Sequence, residues 1–172
     1  ILCILVLLAA VFILFRWYSY SNSDRIEHQN LNYAMDSARQ SALRINGELT
    51  NAQRRVGNYA YLLSEMLNEP EVKTDVLREL EVNSDFDAFH FTNADGVNLA
   101  SDGATCDSRD RDYFTNGMRG ESGSTMVLQS RITNQTMMVF YAPLKYHQEM
   151  CGVLLGLYNA EDYLREILST SY

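Results

Sequence analysis

From Leu31 to Met66 the apolar residues return every three and four positions without a slip, and no other feature constrains the chain as strongly. Leu31, Ala38, Ile45, Ala52, Tyr59 and Met66 form one row, and Met35, Ala42, Leu49, Val56 and Leu63 the other. Asp36, Arg39, Gln40, Arg44, Asn46, Glu48, Asn51 and Gln53 lie between them. Such spacing lays an apolar seam along one side of a long α-helix and leaves the remainder to water. Ser23 or Asp24 suits the N-cap, and Pro70 disfavours helical geometry at Glu69, so the helix is expected to end near Met66. Gly47 and Gly57 each cost about 1 kcal/mol relative to alanine, which packing along the seam has to offset. Two partners suit the seam: the flank of a following domain, or the same seam of a second copy in a parallel homodimer.

Ahead of the seam, Ile1 to Phe15 carries no polar side chain except the Cys3 thiol. As a helix this block spans roughly 22 Å against the ~30 Å of a hydrocarbon core, so a transmembrane segment beginning upstream of Ile1 is expected. Arg16, Trp17, Tyr18 and Tyr20 supply an interfacial belt, where a cleavable signal peptide would instead need small residues. Residues 1–20 are therefore assigned to a membrane anchor and residues 21–69 to a stalk helix. The formal net charge of -8 offers nothing to a phosphate backbone, which excludes nucleic acid as a partner.

After a short helical piece at Val72 to Glu81 the pattern becomes strand-like. Phe86 to Thr92 leads through Asn93-Ala94-Asp95-Gly96 into Val97 to Ser101, a β-hairpin. A loop rich in Asp, Ser and Gly precedes a helix at Asp112 to Arg119. Three more strands follow at Thr125 to Ile132, Thr136 to Pro143 and Cys151 to Tyr158, and the chain closes on a helix at Ala160 to Leu168. Short connections make the last three strands a meander. The expected fold is α+β, a five-stranded antiparallel sheet with helices on one side, one of them the C-terminal half of the stalk with Tyr59, Leu63 and Met66.

Arg111-Asp112-Tyr113-Phe114 at a helix start, Gly120-Glu121, Ser130-Arg131, Ala142-Pro143 and Gly152-Val153-Leu154-Leu155-Gly156 follow one another in an order that resembles a Cache domain. That resemblance implies a PAS-like extracytoplasmic sensor across residues 70–158. It also implies a connector at residues 159–172, leading to a second module of a double-Cache receptor. Such receptors carry outputs such as a diguanylate cyclase, a histidine kinase or a chemoreceptor signalling domain. The implied function is a membrane-anchored small-molecule sensor of a bacterial signal-transduction receptor, in the plasma membrane with its globular part outside the cytoplasm.

In amino-acid-binding relatives of this type an Arg followed by an aromatic pair holds the ligand carboxylate, and a later Asp holds the amine. Arg111 matches the first, Tyr113 and Phe114 stand for the aromatic pair, and Leu157 stands where the Asp would be. An apolar side chain cannot compensate a buried ammonium, so the resemblance implies an anion, such as a carboxylate, or a neutral ligand, and not an amino acid. Arg111 at a helix start combines a bidentate fork with free backbone N–H groups. Ser130, Arg131 and Tyr141 are further candidate donors. The competing reading of the charges is that Arg109 and Arg111 pair with Asp110 and Asp112 on a solvated loop.

Cys106 and Cys151 are candidates for a disulfide in an oxidising compartment, with two free thiols as the alternative. His28, His90 and His147 are scattered, which leaves a zinc site short of ligands. No Ser/His/Asp order, phosphate loop or HExxH motif is present, so neither catalysis nor a cofactor is expected of this segment. The alternative function is a pilin-like structural subunit, which also joins an apolar N-terminal helix to an amphipathic one and a small sheet.

Overall fold

The three-four cadence becomes a single helix, α1 (Leu2–Met66), in a computed structural model. It describes the backbone of residues 2–127 and 129–169 and the side chains of residues 11–18, 31–126 and 129–169. The helix passes through Ser23 and Asp24, so neither caps its start, and the backbone shows no division at residue 20. The expected roles of the side chains of residues 1–10 and 19–30, Tyr20 among them, and of residues 170–172 lie outside the described residues.

Two compact units divide the chain, Ile1–Arg44 and Ile45–Tyr172. In the first, Val11 to Phe15, Trp17 and Tyr18 expose their side chains, as do Leu31 and Met35 farther along. No helix among the described residues is long and apolar enough to cross a membrane.

In the second unit, α1 turns the expected seam toward the sheet. Ala52, Val56, Ala60 and Leu63 are buried there, with Ile45, Leu49 and Tyr59 packed beside them. Met66, expected in this row, is 73% exposed, while Ala60 has joined the buried stripe. The cause is the drift of about 20° per heptad that an untwisted α-helix makes against a strict seven-residue repeat.

The elements that follow are α2 (Thr74–Val82), β1 (Ala88–Asn93), β2 (Val97–Ala100), β3 (Thr105–Asp107), α3 (Asp112–Met118), β4 (Gly123–Val127), β5 (Met137–Tyr146), β6 (Glu149–Asn159) and α4 (Ala160–Ser169). They build one antiparallel sheet of six strands in the order β3-β2-β1-β6-β5-β4. The hairpin and the meander are as expected. The sixth strand is β3, three residues hidden in the polar loop, and β4 stops at Val127 where Ile132 was expected. The β1–β2 turn is closed by Asn93, whose Oδ1 accepts hydrogen bonds from Asp95 N (3.1 Å) and Val97 N (2.9 Å), while Gly96 takes the φ of +80° that the turn demands.

Helices cover both faces of the sheet, not one. Met138, Phe140, Ala142 and Leu144 of β5 join Leu154 and Tyr158 of β6 in a core with α1, α2 and α4. The alternate residues Met137, Val139, Tyr141, Val153, Leu155 and Leu157 face the other way, onto Tyr113 of α3. Strands buried on both faces read as continuous apolar runs, and β6 does so from Cys151 to Tyr158. Where β6 crosses α1, Gly156 lets Val56 and Phe86 approach so closely that an added Cβ would lie 2.7 Å and 2.9 Å from them. One turn of chain later, Tyr158 stacks between Phe86 (4.6 Å) and Tyr163 (4.5 Å), and its hydroxyl accepts a 2.9 Å hydrogen bond from Arg55 Nη2.

Cys106 and Cys151 are both free thiols. Cys106 lies on β3 and Cys151 on β6, with β2 and β1 between them. Three strand spacings amount to about 14 Å. A disulfide needs Cα atoms within about 7 Å, so the topology forbids the bridge. The Cys151 thiol is instead 3.4 Å from the Leu144 carbonyl oxygen, to which it donates.

The contrast between two glycines is testable by thermal denaturation. Gly156→Ala should destabilise the domain by about 1–3 kcal/mol through overpacking. Gly57→Ala, on α1 where nothing lies within 4 Å of the new Cβ, should stabilise it by up to about 1 kcal/mol.

Candidate ligand site

The face of the sheet under α3 collects most of the polar side chains that the described core buries. His90, Thr92, Asn98 and Ser108 are its buried polar residues. His90 and Thr92 alternate with Phe89 and Phe91 along β1, so the pleat sends the two phenylalanines into the α1 core and the polar pair to the opposite face. Asn98 stands across from Thr92 in the ladder, and Cys106 across from Asn98. The chain then turns through Ser108, whose N–H donates to the Gly96 carbonyl (2.8 Å) and whose Oγ accepts a hydrogen bond from the Tyr113 hydroxyl (2.9 Å).

Two spaces with part of their lining in common lie over this face. A cleft of about 680 Å³ opens between the start of α3, β4 and the β4–β5 connection, lined by Asp110 to Tyr113, Thr125, Met126, Gln129 to Arg131 and Asn134. A compartment of about 30 Å³ lies against the sheet, lined by His90, Asn98, Cys106, Ser108, Ile132, Met137, Val139, Leu155 and Leu157. Arg111, Tyr113, Ser130 and Arg131 belong to both walls.

Four of the six residues expected to bind ligand are thus brought together. Phe114 and Tyr141 line neither space. Phe114 packs beside the α3-side core, and Tyr141 is buried in it, 3.4 Å from the Asn116 amide nitrogen. The pleat explains Tyr141, which points straight under α3 opposite Gly123.

The cations divide sharply. Arg109 is bound to Asp107, its Nε 3.0 Å from the carboxylate, and this holds the Asp107 carboxyl well below the usual range. Arg131 grips Asp110 with both nitrogens at 2.7 Å and donates to the Asp107 carbonyl as well, which lowers the Asp110 carboxyl. Arg111 forms no ion pair among the described residues, and its Nη2 donates only to the Gln129 carbonyl, at 3.2 Å. The expected pairing of Arg109 and Arg111 with Asp110 and Asp112 is therefore rearranged: the loop carboxylates take Arg109 and Arg131. Arg111 occupies the N-cap position of α3 with extended φ and ψ of -89° and 136°. That helix has seven residues, too short for the helix-end donors to add much to the guanidinium. Ser130 uses its Oγ as an acceptor for Ile132 N (3.3 Å) and Thr133 N (3.2 Å), which ties down the turn and leaves its O–H to point elsewhere. No group of three or more His, Cys, Asp or Glu among the described residues is placed to hold a metal ion.

His90, Asn98, Cys106 and Ser108 were not foreseen as site residues. For His90 the signal was present in the alternation of polar and apolar residues along β1, which reads equally as a solvated strand face until α3 is known to cover it, whereas Asn98, Cys106 and Ser108 come beside it only through the pairing of β2 and β3.

Burial disfavours the charged form of His90 and lowers its pKa from 6.5 to about 4, against the pull of the Asp102 charge and of a hydrogen bond with the Asn98 side chain. Between those values the unfolded chain binds a proton that the folded one does not, so stability is full above pH 6.5 and is lost as the pH falls toward 4. The loss should be on the order of 3 kcal/mol, read as a falling melting temperature, and His90→Gln should flatten this part of the profile.

No protein-family model matches the sequence, and no curated protein matches it either. Solved structures do. The sensory domain of the Campylobacter jejuni chemoreceptor Tlp3, with isoleucine bound, superposes with a TM-score of 0.64 at 11% identity, over 77% of this chain and 60% of that one. The ligand-binding domain of the Pseudomonas aeruginosa amino-acid chemoreceptor PctC, in complex with GABA, gives 0.66 at 18% identity, over 79% and 66%. That of the Pseudomonas fluorescens chemoreceptor CtaA, in complex with L-alanine, gives 0.64 at 23% identity, over 80% and 63%. The chain spans less than two thirds of each of these domains. With its six-stranded sheet, its long leading helix and a cleft under α3, the chain has the fold of chemoreceptor ligand-binding domains, the Cache-type sensor architecture that its sequence resembles.

Proposed function

We propose that this chain is the extracytoplasmic small-molecule sensor of a bacterial signal-transduction receptor, and that its ligand, a small carboxylate, enters the cleft under α3 and is held by Arg111. One observation carries this reading. Three arginines surround the same loop: Arg109 and Arg131 are neutralised by aspartates, and Arg111, which like Arg131 lines both the cleft and the inner compartment, has only a backbone carbonyl. A guanidinium held in that way has donors left over in the planar fork that suits a carboxylate. The solved structures it resembles include sensory domains with isoleucine, GABA and L-alanine bound, each of which carries a carboxylate.

The route from the cleft outward is β6. Leu155 and Leu157 line the compartment, while Gly156 and Tyr158, between and after them, meet Val56 and Arg55 of α1 on the other face. A ligand that shifts β6 by a fraction of an ångström has to move α1 or α4, since packed layers accommodate such changes as steps. Residues 1–20 serve as the membrane anchor in this reading, supported by the apolar block and by the exposure of Phe12 to Phe15, Trp17 and Tyr18. The exposed Leu31 and Met35 leave the early stalk free to pair with a second copy, and the output across the membrane belongs to a module such as a diguanylate cyclase or histidine kinase. The likeness to sensory domains favours this over a pilin-like subunit.

Arg111→Ala should abolish stabilisation of the full chain by small carboxylates in a thermal-shift series, whereas Arg109→Ala, which removes a cation already bound to Asp107, should leave it within about twofold. Equal binding by Arg111→Ala and the parent would remove the assignment.

A further inference from the structure

The charges on the cleft wall are unequally free, and this limits what else a ligand anchored on Arg111 can carry. Asp110, Arg111, Asp112 and Arg131 all line the cleft. Arg131 is occupied, because both of its terminal nitrogens meet the Asp110 carboxylate at 2.7 Å and one of them also donates to the Asp107 carbonyl. Asp112, the first residue of α3, is exposed, and its carboxylate forms neither a hydrogen bond nor an ion pair among the described residues. One cation and one anion are thus left uncompensated beside each other in the same cleft, Arg111 and Asp112.

That pair decides how a second charged group on the ligand fares. A space of about 680 Å³, taken as a cube, is on the order of 9 Å across, within the ~10 Å over which salt screens a charge at 0.1 M. A ligand with its carboxylate on Arg111 therefore keeps its far end in the field of Asp112 wherever in the cleft that end lies. A second carboxylate meets repulsion there and no free cation, since the guanidinium that would receive it, Arg131, is already held by Asp110. An uncharged end meets no such penalty, and Met126 on the β4 wall, 47% exposed, offers it apolar cover.

We propose that Asp110 and Asp112 make the cleft selective for monocarboxylates, Asp112 by repelling a second carboxylate and Asp110 by occupying the arginine that would bind it. This rests on Arg111 being the carboxylate anchor, and it gives the two aspartates that flank Arg111 separate parts in specificity. The sorting of charges around the loop then acts twice: it leaves one guanidinium open to a ligand and withholds another.

Matched pairs of ligands test this. Butyrate and succinate share one carbon chain length, as do propionate and malonate, and the members of each pair differ only in whether the far end is a methyl group or a carboxylate. Titration calorimetry on the full chain in detergent micelles near neutral pH should show each monocarboxylate binding about fivefold or more tightly than its dicarboxylate. The ratio should shrink as sodium chloride is raised from about 10 mM to about 1 M, because the repulsion acts across solvent. Asp112→Asn should raise the affinity for succinate several-fold and leave that for butyrate within about twofold. Asp110→Asn, which frees Arg131 for a second carboxylate, should also raise the affinity for succinate and not that for butyrate. Both positions are exposed, so neither substitution should disturb the fold. Succinate binding as tightly as butyrate in the parent, or a ratio that neither substitution moves, overturns the inference and leaves Arg111 as anchor. If no carboxylate binds, or if Arg111→Ala binds butyrate as well as the parent, the sensor reading falls with it.

Discussion

Everything in the domain depends on β6 being buried on both faces. It lies between β1 and β5, paired with each along most of its length, so it has no edge to offer water. Its odd-numbered residues from Val153 to Leu157 belong to the α3-side core and its even-numbered residues to the α1-side core. A strand of this kind cannot slip by one residue without exchanging the two cores, which pins the register of the whole sheet. It also makes one strand the common wall of the compartment under α3 and of the packing against α1. Gly156 is where that double duty is tightest, since α1 and Phe86 fill the place a side chain would take.

The two cores differ in chemistry, and that difference gives the domain a working side. The α1 core is apolar and aromatic, with Phe86, Phe89, Phe140, Tyr158 and Tyr163 meeting edge-on or stacked. Its polar contacts are kept at the rim, where Arg55, Asp85 and the Tyr158 hydroxyl meet at 2.9 Å. The α3 face carries the buried polar residues and the cleft. Around it the charges are sorted by short-range pairing. Asp107 and Asp110 lie closer to Arg109 and Arg131 than to Arg111, and once they are taken the remaining guanidinium is left facing the cleft. These loop pairs are exposed and contribute little to stability, but they decide which cation is available.

Much of this was legible beforehand because it is local. The seam of α1, the Asn93-Ala94-Asp95-Gly96 turn, the helix after Arg111 and the helix after Asn159 all depend on residues within a few positions of one another. The strands β5 and β6 were legible for the same reason, as apolar runs between turns. The misreadings have one cause, which is that each needed to know what lies across space. Thr105 to Asp107 has no strand signature of its own and becomes β3 by pairing with Val97 to Leu99. Cys106 and Cys151 stayed open between a bridge and two free thiols until the strand order put two strands between them. Tyr141 looked like a ligand donor until the pleat sent it under α3.

The sequence by itself determined the periodicities, and so the long helix, the antiparallel sheet and the presence of Arg111 at the start of a short helix, because side-chain spacing and turn chemistry act through neighbouring residues. Only the tertiary structure decided which face of the sheet would be polar, which arginine would go without a carboxylate, and that Asn98 of β2 would line the same compartment as Arg111. Those outcomes depend on groups distant in the chain competing for the same space and the same charges, and such competition is resolved only when the layers close.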